Sequence, residues 1–323
     1  MIETLFNSLS SPMVLAFVLG VFATIIRSDL KLPEGMYLGL TVYLLFAIGI
    51  KGGVKLTHTP FVDFYKSGII AILMCLAIPI YAYHILKRLA GFDSINSAAM
   101  AAHFGSVSVV TFSQTLVHME TNNIPYEGFV SALLAIMEVP GIMMALYLAK
   151  RNQPGEQETL NSQQEILKEL LTGKGFVLLI GGLLIGLASG DKGYEQVSPF
   201  FDAPFKGILC LFLLEVGLVT GRRLGDLKKV GLRLVLAAIF IPILNASIGI
   251  WLASFIGLNV GTATIFGVLC ASASYIAAPA AVRIAIPEAN PGYYLTAALA
   301  VAFPFNVTLG IPLYYYFATL LCQ

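Results

Sequence analysis

Ten apolar segments, separated by shorter polar connections, constrain the fold of this 323-residue chain more than any other feature. An α-helix needs about 20 residues to cross the hydrocarbon core of a bilayer, and segments of about this length recur along the whole chain. Because their apolar residues do not alternate with polar ones, they predict helices and not the strands of a membrane barrel. The predicted spans cover residues 12–26, 36–50, 67–86, 95–117, 125–149, 174–189, 204–220, 231–256, 262–286 and 292–321.

The composition agrees with a multi-pass membrane protein. Hydrophobic residues make up 58% of the chain and charged residues only 11%, whereas a soluble domain carries about 25% charged residues. The net charge of +1 gives no basic surface for nucleic acid. The four cysteines lie in apolar segments without a C-x-x-C spacing, which favours small buried residues over metal ligands or disulfides; they are Cys75, Cys210, Cys270 and Cys322.

The distribution of lysine and arginine predicts the orientation. With the N-terminus outside, fourteen of the 19 basic residues fall on the cytoplasmic side, so both termini are predicted outside. Residues 1–11 lack a basic region and a cleavage motif, and we expect the mature chain to begin at Met1. The polar connection 151–173 is then a flexible cytoplasmic linker, with a short amphipathic helix possible over Ser162 to Leu171.

Two spans carry residues that interrupt a membrane helix near its middle. In the fourth span, residues 105–111 combine a glycine, two serines and four β-branched residues, which are poor helix formers as a cluster. A related pattern, ending in Pro279, occupies residues 271–279 of the ninth span at an offset of 166. Two broken spans at matching positions of two halves indicate the binding site of a transporter.

The two halves of the chain repeat each other. Each half, 1–150 and 174–323, holds five predicted spans. Because five is odd, the second repeat enters the membrane inverted relative to the first, as in many secondary transporters. Matching residues recur at offsets of 166 to 168: Gly49 with Gly217, Gly91 with Gly257, and Pro125 with Pro291.

Broken helices can bind ions. The N–H groups at the start of a half-helix favour a small anion, and the C=O groups at the end of one favour a cation such as sodium. Four serines add hydroxyl groups at the two breaks, although small residues also permit simple close packing of helices. They are Ser106, Ser108, Ser272 and Ser274.

Several other polar residues fall within the spans. Glu138, two residues before Pro140, is interpreted as an ion ligand or a proton-exchanging group, because an unpaired acid in a membrane is costly. Glu215 is a weaker candidate. Asn245 and Asn306 could pair across helices or line the pocket. His103 is either a buried core histidine or one that titrates. Tyr314, Tyr315 and Tyr316 are interpreted as an interfacial aromatic belt.

The chain resembles the cyanobacterial sodium-dependent bicarbonate transporters of the SbtA type and their relatives in other bacteria. The resemblance covers nearly all of both halves. It is densest at residues 104–108 (Phe-Gly-Ser-Val-Ser), 225–230 (Gly-Asp-Leu-Lys-Lys-Val) and 286–291 (Ile-Pro-Glu-Ala-Asn-Pro). The last segment is similar to the family's G-I-P-S-A-N-P.

The resemblance implies a ten-helix inverted repeat in the bacterial plasma (inner) membrane, with a core (spans 3–5 and 8–10) that moves against a gate (spans 1, 2, 6 and 7). It also implies homotrimers, sodium-coupled anion uptake without a further cofactor or metal and, in cyanobacteria, inhibition by a PII-like protein. The predicted substrate-binding residues are Gly105, Ser106, Val107, Ser108, Thr111, Ser272, Ala273, Ser274 and Tyr275. The predicted ion-coupling residues are Glu138, Ser108, Ser274 and Asn306, with Glu138 where the family carries Asp.

The chain departs from the family within both breaks. Val109 and Val110 replace the glycine and serine of the family's V-S-G-S-T. In the family's S-S-S-D-I-S-G-P-P, Tyr275 replaces the carboxylate, and Ala273 and Ala277 replace serines. A less polar pocket allows bicarbonate or a larger, partly apolar carboxylate, and the short linker argues against a PII-like partner.

The leading hypothesis is a sodium-coupled symporter of bicarbonate or another small anion, working by alternating access. A cation/proton antiporter using Glu138 is the alternative within the same class. A non-transporting receptor or scaffold also stays open. A membrane-embedded enzyme is not expected, because the sequence has no G-x-S-x-G or H-E-x-x-H motif.

Overall fold

The computed structural model describes residues 9–151 and 160–322, and these residues form helices and connections without a β-strand. The helices are α1 (Pro12–Ile25), α2 (Glu34–Thr57), α3 (Phe61–His84), α4 (Ser94–Phe104), α5 (Val109–Thr121), α6 (Val130–Ile136), α7 (Pro140–Arg151), α8 (Leu160–Thr172), α9 (Lys174–Glu195), α10 (Ser198–Phe201), α11 (Phe205–Leu224), α12 (Leu227–Phe255), α13 (Val260–Ala271), α14 (Ala277–Ala285) and α15 (Pro291–Leu321).

Eight helical segments among these residues are long and apolar enough to cross a membrane, and α1 and α13 are shorter apolar helices. The prediction of an all-α membrane protein is therefore confirmed. Several helices extend beyond the predicted spans. The second ends at Thr57 and not at residue 50. Lys51 and Lys55 lie in this last part, where they pair with Asp202 and with the hydroxyl of Tyr126.

Two helices contain π-helical turns. α3 continues into a π-helical turn at Ile85–Leu89, and α15 contains two more, at Thr296–Ala302 and Asn306–Gly310. A π-helical turn inserts one extra residue into the hydrogen-bonding pattern and is frequent at functional sites.

Glycines bring two pairs of helices into backbone contact. α1 packs on α11, where a Cβ atom on Gly20 would lie 2.2 Å from the carbonyl oxygen of Leu214. α2 packs on α9, where a Cβ atom on Gly53 would lie 2.1 Å from the carbonyl oxygen of Leu183. Larger residues would force each pair apart, so these glycines set the helix spacing.

The remaining spans pack mainly with one another. α3 contacts α4 and α7, and α12 contacts α13, while the C-terminal part of α15 contacts both α12 and α13. The interruptions of the fourth and ninth spans follow α4 and α13. Their residues 106–108 and 272–274 are buried, so they lie against protein.

A short helix precedes the second half of the chain. α8 covers the part of the linker for which an amphipathic helix is predicted, and it packs on α14 and on α9. Its apolar side chains Ile166 and Leu170 are buried. The first part of the predicted flexible linker, residues 152–159, lies outside the described residues, as do residues 1–8 of the predicted mature start.

Candidate functional site

The fourth span breaks between α4 and α5. α4 ends where the Gly105 N–H donates to the carbonyl of Ala101. α5 begins after Ser108, whose Oγ accepts the N–H of Thr111 (3.3 Å) and lies 3.0 Å from its hydroxyl. A serine before the first helical residue stabilises a new helix start in this way, so Ser108 specifies where α5 begins.

The ninth span breaks between α13 and α14. Residues 272–276 are not helical, and α14 begins at Ala277. Its N-cap residue, Ile276, offers no side-chain oxygen, but the Oγ of Ser274 accepts the N–H of Ala278 at 3.3 Å. A serine hydroxyl therefore accepts one N–H group at this helix start, as at that of α5.

Hydrogen bonds join the two interruptions directly. The N–H of Ser108 donates to the Oγ of Ser272 at 3.2 Å, and the N–H of Ser274 donates to the carbonyl of His103 at 2.8 Å. All four residues are buried. Each interruption therefore satisfies polar backbone groups of the other, which neither helix could do alone inside a membrane.

A third interruption lies beside the first. The fifth span is non-helical at residues 137–139, between α6 and α7, and the hydroxyl of Ser106 donates to the carbonyl of Glu138 at 2.7 Å. A Cβ atom on Gly141 would lie 1.7 Å from the carbonyl oxygen of Gly105, so the two backbones touch. The sequence analysis predicts a continuous fifth span over residues 125–149, which is wrong at residues 137–139. Pro140 is the signal for the break, because a residue before proline disfavours helical geometry.

A small cavity of about 20 Å³ lies where the three interruptions meet. A volume of this size holds about one water molecule or a small ion. Among the cavity-lining residues, two buried polar atoms have no hydrogen-bond partner, the Oε2 of Glu138 and the hydroxyl of Tyr275. Because a buried polar group without a partner is costly, these two atoms indicate a ligand. The lining residues are Leu45, Val107, Ser108, Val109, Glu138, Gly175, Ser274, Tyr275, Ile276 and Ala277.

About half of the predicted site residues line this cavity. They are Val107, Ser108, Glu138, Ser274 and Tyr275. The other predicted residues are absent from the lining and belong to the surrounding backbone and hydrogen-bond framework; they are Gly105, Ser106, Thr111, Ser272, Ala273 and Asn306.

Two asparagines fix the carbonyl end of α13. The side-chain N–H of Asn306 donates to the carbonyl of Ala271 at 2.9 Å, and its Oδ1 accepts the hydroxyl of Tyr314 at 2.8 Å. Asn245 donates to the carbonyl of Cys270 at 3.0 Å. Asn306 therefore has partners on both sides of its amide within the protein. Tyr314 is fully buried by this pairing, so the interpretation as an interfacial residue is wrong for it.

Two other predicted residues lie off the cavity. The Nδ1 atom of buried His103 is 2.7 Å from the carbonyl of Ala99, and its ring stacks on Tyr294. Glu215 forms a 3.3 Å ion pair with Arg222. One ring nitrogen of His103 and one carboxylate oxygen of Glu215 therefore have partners, whereas the Nε2 of His103 and the Oε2 of Glu215 have none.

Three of the ten lining residues, Leu45, Gly175 and Ile276, are not among those that the sequence analysis places at the pocket. Leu45 of α2 and Gly175 of α9 come from helices without an interruption at the site. No local pattern distinguishes them from packing residues, because their role depends on how separate helices meet. A Cβ atom on Gly175 would lie 3.0 Å from Oε1 of Glu138. Across residues 9–151 and 160–322, no group of three His, Cys, Asp or Glu side chains has the arrangement of a metal site.

A comparison with protein families identifies the chain more closely. The family model of the Na+-dependent bicarbonate transporter superfamily matches residues 12–319. The chain belongs to this superfamily. The match agrees with the resemblance seen in the sequence, and a member of a transporter superfamily is not an enzyme. A search of curated protein sequences gives no match. The superfamily member described here is thus a multi-pass membrane transporter with a buried cavity at its helix interruptions.

Proposed function

We propose that the protein is a sodium-coupled symporter of bicarbonate or another small anion that works by alternating access. The observation that carries this proposal is the buried cavity, into which an unpartnered carboxylate oxygen and an unpartnered hydroxyl face. Its walls come from five separate helical spans, so a movement of one group of helices against the other would open it.

The sodium ion binds beside Glu138 in this proposal. Glu138 is the only charged side chain that lines the cavity among the described residues, and only 7% of it is exposed. A buried carboxylate is stable when a cation or a proton neutralises it. Ser108 and Ser274 contribute hydroxyl oxygens close by. With sodium in place, the site becomes neutral and can accept an anion.

In this conformation the cavity holds one small ion, so in this proposal an anion such as bicarbonate enters beside the sodium ion only when the helices move apart. About 20 Å³ suits a compact ion better than a larger carboxylate. Five apolar residues, among them Leu45 and Val109, narrow the space around the polar groups. The hydroxyl of Tyr275 lies close to Ser108 but makes no hydrogen bond of good geometry, and it can donate to an anion.

An inverted repeat of ten spans accounts for the pairing of the helices. In this arrangement the contact of α1 with α11 is equivalent to that of α9 with α2. Gly217 and Gly49 occupy matching positions in these contacts, facing Gly20 and Gly182 respectively. We propose that these four helices are the gate and that the spans containing the interruptions are the core.

Polar contacts hold this gate against the core at one end. Lys55 of α2 donates to the hydroxyl of Tyr126 at 3.0 Å, and its ammonium lies 4.4 Å from the ring centre. Lys206 of α11 lies 3.9 Å from the Glu120 carboxylate, which also accepts the Tyr126 hydroxyl. Burial and the nearby Glu120 carboxylate raise the pKa of Tyr126, so its hydroxyl remains a donor at neutral pH. With both termini outside, these contacts close the extracellular side.

Helix α8 closes the other end in this proposal. It packs on α14, which starts at the cavity-lining Ala277, and on α9, which carries the cavity-lining Gly175. Ile166 and Leu170 supply its buried apolar contacts. Since α8 contacts both the core and the gate, it has to shift when the cavity opens to the cytoplasm.

The test is uptake of labelled bicarbonate into proteoliposomes with and without an inward sodium gradient. We expect uptake above that of protein-free vesicles only with the gradient, and competition by other small anions identifies the preferred substrate. An absence of sodium-stimulated uptake for every small anion tested would reject the proposal. Anion binding without flux would favour a receptor.

One observation favours a second candidate, a cation/proton antiporter. Among the described residues, the acidic Glu138 is the only charged residue that lines the cavity. A single carboxylate suits the alternate binding of a cation and a proton. A pH-sensitive dye inside the proteoliposomes separates the two candidates. Sodium-driven proton movement that needs no anion supports the antiporter.

Assembly and regulation follow from the family resemblance alone. We propose a homotrimer in the bacterial inner membrane, for which cross-linking in native membranes is the test. The exposed apolar faces of α1 and α9, including Leu19 and Leu184, are compatible with lipid or with another copy. A PII-like partner stays a prediction against which the short linker argues.

A further inference from the structure

A second, larger cavity lies on the outside of the protein, between the end of α3 and α12. This groove has a volume of about 490 Å³, and eight of its nine lining residues are apolar. Leu89, Leu236 and Phe240 line it and are 76%, 58% and 51% exposed. Exposed apolar area of this extent, within membrane-spanning segments, faces acyl chains.

One cationic side chain lines the groove. The ninth lining residue is Arg233, near the start of α12. A Cβ atom on Gly91 would lie 3.2 Å from its Nη1 atom, so the guanidinium group lies over the turn that follows α3. No described carboxylate forms an ion pair with Arg233, and its charge is therefore available to an anion.

The backbone places a second cationic surface at the same end of α3. The π-helical turn Ile85–Leu89 contributes apolar side chains to the groove and cationic side chains to a neighbouring cavity of about 430 Å³. None of the residues that line this second cavity is acidic. They are Tyr83, His84, Lys87, Arg88, Leu148 and Arg151. The end of α3 thus combines an apolar channel with an excess of positive charge.

We propose that the groove binds a phospholipid with an anionic headgroup, with an acyl chain along Leu89, Leu236 and Phe240 and the phosphate on Arg233. Arginine binds phosphate oxygens through two parallel N–H groups, and basic pockets between transmembrane helices bind anionic lipids. A neutral lipid would fill the apolar channel equally well but would not use the charge. The binding does not depend on the transport proposal. With both termini outside, as the sequence predicts, the groove would lie in the cytoplasmic leaflet.

The test measures lipid selectivity by electron paramagnetic resonance of spin-labelled lipids in vesicles that contain the full-length protein. The vesicles are phosphatidylcholine, with a trace of labelled phosphatidylglycerol or labelled phosphatidylcholine. We expect the protein to immobilise the phosphatidylglycerol label about five-fold more strongly. Arg233→Gln should reduce this preference to nearly one. Arg283→Gln is the matched control, because Arg283 is also an exposed arginine, lies outside the groove and should leave the preference unchanged.

A second variant tests the acyl-chain part of the site. Ala237→Leu narrows the groove and should reduce immobilisation of both labels, while unchanged helical content and particle size show that the protein folds. Equal immobilisation of the two labels by the wild-type protein would overturn the proposal. So would a preference that survives Arg233→Gln, or a groove variant that changes only the oligomeric mass, which would assign the groove to a second copy of the chain.

Discussion

The first and second interruptions occupy matching positions in the two halves, but they are stabilised differently. Ser108 caps the helix start at the first interruption, and the third interruption beside it brings Glu138. At the second, Ser274 caps the helix start through the N–H of Ala278, and the buried amides of Asn245 and Asn306 hold the carbonyl end of α13. The two halves therefore contribute different parts of the cavity. The first half supplies the charge of the cavity, and the second half supplies a fixed frame and the Tyr275 hydroxyl.

The largest effect is expected when the negative charge that the first half supplies, that of Glu138, is removed. Glu138→Gln should lower sodium-dependent uptake by about 10–100-fold, because a charged hydrogen-bonding group contributes about 1.5–3 kcal/mol. Uptake into proteoliposomes over a range of sodium concentrations is the measurement. Glu215→Gln is the control, since Glu215 is an equally buried acid that lies off the cavity. Equal losses in both variants would show that the cavity carboxylate has no special role.

The structural role of the buried amides at the end of α13 is tested by removing the amide of Asn306. Asn306→Ala leaves the carbonyl of Ala271 and the hydroxyl of Tyr314 without their partner. Each buried group left unpaired costs about 1–3 kcal/mol, and we expect a lower thermal unfolding temperature in detergent. Asn122→Ala, at a less buried amide that bonds only the carbonyl of His118, is the control and should lower it much less. An unchanged unfolding temperature for Asn306→Ala would contradict the assigned structural role.

The hydrogen bond between the two interruptions gives a smaller expected effect. Ser272→Ala removes the acceptor of the Ser108 N–H and should destabilise the protein by about 1 kcal/mol. Ser106→Ala removes the donor to the Glu138 carbonyl and should have a similar effect on stability. Only Ser106→Ala should also weaken sodium dependence, because it alone loosens the segment that carries the carboxylate. Identical uptake curves for the two variants would remove this distinction between the halves.

The smallest effect on stability is expected at the tyrosine. Tyr275→Phe removes a hydroxyl that has no partner in the described structure, so the free energy of unfolding should change by less than about 0.5 kcal/mol. The half-saturating concentration of the anion should rise by several-fold if the hydroxyl binds substrate, since one hydrogen bond contributes about 1 kcal/mol. Uptake kinetics and thermal unfolding of the same preparation give both quantities. A large loss of stability with unchanged kinetics would make Tyr275 a packing residue.

Much of the fold follows from local sequence. Continuous apolar segments predict the spans, and the cluster of glycine, serine and β-branched residues around Ser108 predicts the break between α4 and α5. The ends of α2 were less predictable, because Lys51 and Lys55 extend it beyond its apolar part. A helix boundary depends on capping and solvent as well as on hydrophobicity.

The rest depends on tertiary contacts. The third interruption contains Met137, Glu138 and Val139, none of which is a strong helix breaker, so only Pro140 signals it. The π-helical turn Thr296–Ala302 consists largely of good helix formers. Gly175 reaches the cavity because α9 crosses Glu138. Such residues become recognisable only when separate helices are assembled.

The contact between Gly141 and the carbonyl of Gly105 has a mechanical consequence. No side chain separates these two backbone segments, so they cannot slide past each other without a collision. We therefore expect the segment that carries Glu138 and the interruption between α4 and α5 to move together. If, as proposed, sodium binds beside Glu138 and these segments move during transport, the same oxygen atoms can hold the ion before and after the movement.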